Sequence, residues 1–315
     1  MILITGITGF VGQQLSCELV RRGREVRGAR RSCFSAVPDE IEPVLVSSLG
    51  PNTDWATALS GVDTVIHLAA RVHLMNETEA NPLDEFRKVN VEGSKKLAQQ
   101  AAQLGVRRFI FISSIKVNGE FTVSTPFSDD VEVSPLDAYG LSKWEAEEAL
   151  RKIAQVSRME VVILRPPLIY GPGVKANLHK LIQVIDKGLP LPLMCVRNSR
   201  SLIGLSNFVD LIIHCVDAPQ AAGKTFMVSD GDDVSTPELV RRIAIALNKK
   251  ALLLPIPQFL INVAALCTGK RAQIQRLCSS LQVDSSKLKS ELGWHAPYSM
   301  AEELERVITA YRKSN

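Results

Sequence analysis

The chain has 315 residues, 46% hydrophobic and 22% charged, enough to bury one large α/β core or two unequal ones, and this excludes a disordered chain. Its 37 basic and 33 acidic residues leave a formal net charge of +4, spread without the basic block that a nucleic-acid or membrane surface needs, so both partners are discounted. The six cysteines (Cys17, Cys33, Cys195, Cys215, Cys267, Cys278) are far apart, form no C-x-x-C pair and sit mostly in apolar surroundings. They fit a reducing cytoplasm, and no metal site is expected.

The chain opens on MILITGITGFVG, a short apolar run followed by Gly6, Gly9 and Gly12. This spacing predicts a strand, a tight turn and a helix. Gly6 allows the turn, Gly9 lets the backbone approach a pyrophosphate, and Gly12 lets the helix pack on the strand, with the phosphate resting on the helix N-terminus. A dinucleotide site is the first expectation, and an unrelated strand-turn-helix is its alternative. Because the chain begins with its nucleotide strand, no leader segment is expected. Leu15, Leu19 and Val20 then give a helical stripe that stops at Gly23, and Glu25 to Gly28 predicts a second strand. An NAD site usually carries an acidic residue at the end of that strand; here Arg30 and Arg31 follow, and guanidinium groups suit a 2′-phosphate. NADP(H) is therefore favoured over NAD(H), with a solvated loop as the alternative for Arg31.

Pro43 to Val46 predicts a third strand, Asp54 to Leu59 a short helix, and Thr64 to Leu68 a fourth strand leading into Ala69 and Ala70, whose small side chains leave room for a cofactor. Leu83 to Leu104 predicts a long helix with Phe86, Val89, Leu97, Ala101 and Leu104 on one side. The fifth strand, Arg108 to Ile112, ends at Ser113-Ser114. Ligands collect at the carboxyl ends of open parallel sheets, so this serine pair is placed for chemistry; strand-end capping is the alternative. Ser134-Pro135 predicts the start of the next helix, with serine as N-cap. That helix carries Tyr139 and Lys143 four residues apart on one face. A phenol titrates near pH of about 10, and a neighbouring ammonium is expected to draw that value down towards use as an acid-base group.

Val161 to Leu164 is a continuous apolar strand, as a parallel strand covered on both faces should be. Arg165 to Gly173 breaks regular structure and leads to a helix over Ala176 to Asp186. Leu202 to Leu205 predicts a short strand, Lys224 to Val228 the last strand of the main sheet, and Ser235 to Glu238 a capping box before a helix over Leu239 to Leu247. The most apolar segment, Ala251 to Cys267, is interrupted by Pro255 and Pro257 and is shorter than the about 20 residues that span a bilayer. A buried or interface helix is expected there, with a membrane-surface helix as the alternative. Two helices, Ser286 to Gly293 and Met300 to Tyr311, end the chain. The expected division is a dinucleotide-binding domain over 1–169, with 204–231 returning to it, and a substrate domain over 170–203 and 232–315.

Gly6-x-x-Gly9-x-x-Gly12, Asp63-Thr-Val-Ile-His-Leu-Ala-Ala70, Ser114 and Tyr139-x-x-x-Lys143 together resemble the extended short-chain dehydrogenase/reductase family of nucleotide-sugar epimerases, dehydratases and reductases. The resemblance implies an α/β fold, a doubly wound parallel sheet of the Rossmann type with a smaller C-terminal α/β substrate domain. It implies Tyr139 as acid-base, Lys143 holding the nicotinamide ribose, and Ser114 hydrogen-bonding the reacting oxygen. Cofactor contacts then fall on Gly6, Gly9, Phe10, Val11, Gly12, Arg30, Arg31, Leu68, Ala69, Ala70, Asn90, Tyr139, Lys143 and Pro166. Arg200 matches the arginine that clamps the nucleotide diphosphate, a role suited to a bidentate guanidinium. Asn177 and Leu178 match the segment that contacts the phosphates, and Leu191 to Leu193 fall where the uracil is held. A cytoplasmic enzyme with a UDP-sugar substrate is implied, as is a homodimer paired through the Leu83 and Pro135 helices.

Departures from the family pattern narrow the chemistry. The sugar 4,6-dehydratases carry an Asp-Glu pair where this chain reads Ser114-Ile-Lys-Val-Asn118, so dehydration is not expected. The GDP-fucose epimerase-reductase needs a cysteine and a histidine; His179 offers one half, but Ile115 stands in the cysteine's place. Ser48 and Leu168 replace an acidic residue near the adenine and an asparagine near the pyrophosphate. Hydride chemistry at carbon 4 remains. Ala70 to Glu77, Ser114 to Glu120 and Gly171 to Asn177 resemble bacterial reductases of surface-polysaccharide (O-antigen) synthesis, which convert UDP-4-keto-6-deoxy-N-acetylglucosamine to UDP-N-acetylquinovosamine. His73, Asn76, Lys116 and Asn118 are candidates to touch the sugar, with solvated loop residues as the alternative. The expected activity is NADPH-dependent reduction of the carbon-4 ketone. A UDP-sugar 4-epimerase with tightly bound NAD is the alternative, and a non-catalytic nucleotide sensor is a third reading opposed by the intact Ser114, Tyr139 and Lys143.

Overall fold

The apolar runs become short strands. They are β1 (Ile2–Thr5), β2 (Val26–Arg30), β3 (Glu42–Leu45), β4 (Thr64–His67), β5 (Arg108–Ile112), β6 (Glu160–Arg165), β7 (Leu168–Tyr170), β8 (Leu202–Gly204) and β9 (Thr225–Met227). The computed structural model describes residues 1–32, 38–72, 81–129, 133–267 and 271–314. Seven strands form one parallel sheet in the order β3-β2-β1-β4-β5-β6-β9, and β7 and β8 pair separately. The chain runs outward from β1 to β3 and then crosses back to β4, so β1 and β4 flank the switch point where such sheets open a ligand crevice.

The first helices are α1 (Phe10–Arg21), α2 (Ala56–Leu59) and α3 (Pro82–Phe86), which passes through a π-helical stretch, Arg87–Gly93, into α4 (Ser94–Gln103). There follow α5 (Ala138–Gln155), α6 (Ala176–Asp186), α7 (Leu205–Asp217), α8 (Thr236–Ala246), α9 (Gln258–Cys267), α10 (Arg271–Cys278), α11 (Ser286–Ser290) and α12 (Met300–Ser314). Side chains alternate across β5: Ile110 joins Leu15, Leu19, Phe208 and Ile212 of α1 and α7 on one face. Phe109 and Phe111 join Leu97, Ala101 and Leu150 of α4 and α5 on the other. A further core, with Tyr170, Ile182, Ile243 and Leu304, is built by β7, α6, α8 and α12. Phe10, at the start of α1, packs against the first and last of these cores.

Several expectations change. Helix α5 starts at Ala138, not at Ser134: Asp137 is its N-cap and accepts from Gly140 N at 2.7 Å, while the Ser134 amide donates to the Val117 carbonyl. The residue before a proline is biased away from the helical region, which holds Ser134 outside. Strand β7 lies inside the segment expected to be irregular, with Ile169 in register with Ile203. Helix α7 went unpredicted: it follows β8 directly, with Gly204 as an N-cap that has no side chain to mark the start, and nine of its thirteen residues are buried. Cys17 and Cys195 are exposed, against the apolar setting expected, while Cys215 and Cys278 are buried. Helix α9 is not a buried element, since Phe259, Leu260, Val263 and Leu266 are all exposed.

Candidate functional site

The glycine turn closes where β1 ends. Gly6 takes a φ of +72°, and a Cβ on Gly12 would lie 2.3 Å from the Gly6 carbonyl oxygen, so the first turn of α1 packs directly on the loop backbone. The same turn abuts the end of β4, where Leu68, Ala69 and Ala70 are half-buried. Gly9 is the N-cap of α1 and supplies no side-chain cap, and the first turn holds no acidic residue. The opening amides around Phe10, Val11 and Gly12 are therefore left for an anion. Arg30, half-buried, ends β2 beside this turn, and Arg31 is exposed.

Behind the turn, His67 bridges the sheet to α4. Its ring hydrogen-bonds Thr5 Oγ1 at 2.6 Å and Ser94 Oγ at 2.8 Å, and burial pushes its pKa down to about 3, helped by the nearby Lys143, so it stays neutral. Asn90, in the π-helical stretch, is buried: its carbonyl accepts from Arg71 N at 2.8 Å, and its amide donates to Arg71 O and Ser142 Oγ at 3.0 Å. Its side chain ties the loop after β4 to α5 rather than reaching into open space. Such π-helical distortions recur at functional sites.

The Ser114 turn and the first turns of α5, with Tyr139 and Lys143, lie at the end of β5. Ser114 caps a single turn, Ile115–Val117, accepting from Lys116 N at 3.2 Å. Three contacts pin this turn. Ile115 N donates to the carbonyl of buried Pro166 at 3.0 Å, Lys116 Nζ pairs with Asp137, and a Cβ on Gly140 would lie 2.5 Å from the Lys116 carbonyl. The last contact brings the first turn of α5, with Tyr139, against the Ser114 turn. The Tyr139 ring packs edge-on against Phe86 at 6.1 Å. One helical turn further, Lys143 is 2% exposed with Nζ 4.0 Å above the centre of the Phe111 ring.

Electrostatics here run against the expectation that Lys143 draws the phenol down. Burial, with Asp137 adding to it, pushes the Tyr139 phenol up to about 12, and burial pushes the Lys143 ammonium down to about 7 although Glu147 opposes it. Desolvation penalises phenolate and ammonium alike, and it sets the direction for both groups. A group the sequence reading overlooked lies one more turn along α5. Glu147 is fully buried; it accepts from Ser113 Oγ at 2.5 Å, from Arg165 at 2.6 and 2.9 Å, and from Arg151 at 2.9 Å. The spacing Tyr139, Lys143, Glu147 was its signal, because all three lie on one helix face.

The candidate sugar and nucleotide contacts disperse. Lys116 is committed to Glu120 at 2.9 Å as well as to Asp137. Asn118 is buried and accepts from Arg165 at 3.0 Å. Leu178 and Leu193 are core residues of the C-terminal lobe. Asn177 is exposed in the first turn of α6, and His179 packs on Tyr311 at 5.7 Å. His73 and Asn76 lie outside the described residues. Arg200 is half-buried, its guanidinium donates to the Arg276 and Ser279 carbonyls at 2.7 and 2.9 Å, and no carboxylate pairs with it among the described residues. Burial lowers its pKa from the ordinary value.

Residues 2–229 match the NAD dependent epimerase/dehydratase family. The chain belongs to this family. It is 45% identical over 317 residues to a UDP-glucose 4-epimerase from Vibrio cholerae, covering 100% of this chain and 96% of that one. It is 26% identical over 324 residues to an N-acetyl-alpha-D-glucosaminyl-diphospho-ditrans,octacis-undecaprenol 4-epimerase from Escherichia coli O157:H7, covering 98% and 94%. The UDP-glucuronic acid 4-epimerase from Bacillus cereus, solved in complex with NAD, shares the fold at a TM-score of 0.79 and 19% identity, covering 99% and 96%. As an epimerase/dehydratase family member the chain is an NAD(P)-dependent enzyme of the oxidoreductase type. Its own residues fit a dinucleotide: the glycine turn has no room for a side chain at Gly12, and the uncapped start of α1 carries no opposing charge.

Proposed function

We propose that this chain is a UDP-sugar 4-epimerase. The observation that carries the reading is full-length 45% identity to the Vibrio cholerae UDP-glucose 4-epimerase, in a chain that retains Ser114, Tyr139 and Lys143 at one strand end. This moves the reading from carbon-4 reduction to the epimerase alternative, because the relatives at 45% and 26% identity, each matched over nearly its whole length, are 4-epimerases.

A nicotinamide dinucleotide, which the Gly6–Gly12 turn and the start of α1 would hold, would supply the hydride acceptor and donor. Tyr139 exchanges the proton of the sugar's O4 as carbon 4 is oxidised and reduced, and Ser114 hydrogen-bonds that oxygen. Lys143, one turn along the tyrosine's face of α5, would hold the nicotinamide ribose. Epimerisation demands that the keto sugar present both faces in turn, so the nucleotide must be held while the ring is not. Arg200 serves that purpose as a diphosphate clamp. Arg200→Ala is expected to weaken UDP binding about 10-fold or more, the scale of a lost charge-assisted hydrogen bond, with nicotinamide dinucleotide affinity unchanged. Calorimetric titration with UDP and with each dinucleotide checks it; unchanged UDP affinity removes Arg200 from the site.

A second reading, net reduction of a UDP-4-keto sugar by NADPH, is favoured by Arg30, which ends β2 where an acidic residue would hold the ribose of NAD. The two readings part on stoichiometry. An epimerase interconverts UDP-glucose and its carbon-4 epimer without consuming cofactor, whereas a reductase consumes one reduced cofactor per sugar. Interconversion without added NADPH supports the first; activity only with a 4-keto sugar and equimolar NADPH oxidation overturns it.

A further inference from the structure

The C-terminal lobe presents an apolar surface that the proposed chemistry does not use. Residues 251–254 hydrogen-bond alongside 191–194, with Leu191 N donating to Leu252 O at 2.8 Å and Met194 N to Leu254 O at 3.2 Å. Leu252 and Leu254 are exposed on this ribbon, which continues through Pro255 and Pro257 into α9. There Phe259 is 64% exposed and Leu266 61%, with Leu260 and Val263 also exposed, while Ile261 is anchored in the core. Scattered exposed leucines need no explanation, but a contiguous group on one ribbon and one helix does.

The charge around this surface has one sign in the sequence. The two stretches that build it, 187–209 and 239–283, contain three and seven Lys or Arg residues and no Asp or Glu; Arg241, Arg242, Lys249 and Arg276 pair with carboxylates from outside them, so it is the exposed Lys250 and Arg197 that bear on an outside anion. Lys250, just before the ribbon, and Arg197, three residues after Met194, are exposed and have no ion-pair partner among the described residues. Among the described residues no helix is long and apolar enough to cross a membrane.

We propose that this lobe docks on a membrane surface containing anionic lipid, with α9 lying in the interface. Aromatic and aliphatic side chains on one helix, rimmed by lysine and arginine, are the pattern that enters the headgroup layer, and the cations add attraction to an anionic leaflet. A second copy of the chain would meet the same cations and repel, which disfavours self-association through this face.

Flotation of the full chain with vesicles tests this. The chain is expected to float with phosphatidylglycerol–phosphatidylethanolamine vesicles at low salt, and to stay in solution with phosphatidylcholine vesicles. The double substitution Phe259→Ser and Leu266→Ser is expected to lower partitioning at least about 10-fold through lost apolar burial. Lys250→Glu is expected to lower it about 5-fold or more by reversing one charge near the surface. Circular dichroism melts of both variants should match the parent, and Lys250→Glu, being exposed, keeps the test valid if the double variant unfolds. No flotation with anionic vesicles, flotation that neither variant alters, or light scattering that shows a dimer broken by Phe259→Ser overturns the proposal.

Discussion

Replacing Tyr139 by Phe is expected to lower turnover at least about 100-fold, the low end for removal of a general acid-base group, while cofactor binding is unchanged. The argument rests on packing. Tyr139 sits in the first turn of α5, held against the Ser114 turn by the Gly140–Lys116 contact and the Asp137 cap, and its ring rests on Phe86. Removing one oxygen leaves these contacts in place, so the loss would report chemistry rather than folding. Burial pushes the phenol up to about 12, so at neutral pH Tyr139 carries its proton, the form that donates to O4 when carbon 4 is reduced. Initial rates with dinucleotide titration on the same preparation check the result; near-normal turnover would show that another group handles the O4 proton.

Glu147→Ala is expected to destabilise the protein by about 3–5 kcal/mol, the range for stripping one partner from a buried ion pair. Arg165, 3% exposed, donates twice to this carboxylate, and the alanine variant would strand its charge in the interior. Ser113 loses its acceptor as well, and Arg151 loses one of three, keeping Glu148 and Thr225. Because Ser113 and Arg165 end β5 and β6, the same substitution is expected to loosen the strand ends on which Ser114 and Pro166 sit. Urea unfolding of parent and variant measures it, and a loss below about 1 kcal/mol would mean that water or a rearranged side chain replaces the carboxylate. Glu147→Gln, which keeps part of the hydrogen bonding, should fall between the two.

What could be read before the structure followed from period and spacing. The main-sheet strands announced themselves as short apolar runs, and α1, α6, α8 and α12 as helical stripes with a turn or cap at one end. Helix α7 did not, since it follows β8 with no capping side chain at Gly204 to mark its start. Strand β7 was hidden by two prolines before it and one after it, although its own three residues pair normally. At the candidate site, Ser114, Tyr139 and Lys143 could be singled out because a nucleotide turn, a strand end and a helical spacing agree. The surroundings of the candidate substrate residues could not be read: position along the chain says which loop a residue occupies but not which way it faces, and in the structure Leu178 and Leu193 lie in a core while Lys116 and Asn118 hold protein partners. Glu147 resembled one more charge on a solvated helix. The basic surface of the C-terminal lobe escaped because acidic residues elsewhere bring the whole chain to a net +4.

The central claim, that hydride leaves carbon 4 and returns to the same carbon, is tested most directly with UDP-glucose carrying deuterium at carbon 4. The account predicts that the purified chain converts it to the carbon-4 epimer with the deuterium retained and no net change in reduced nicotinamide. No conversion of UDP-glucose, or deuterium lost from the sugar to released cofactor or to solvent, would contradict it.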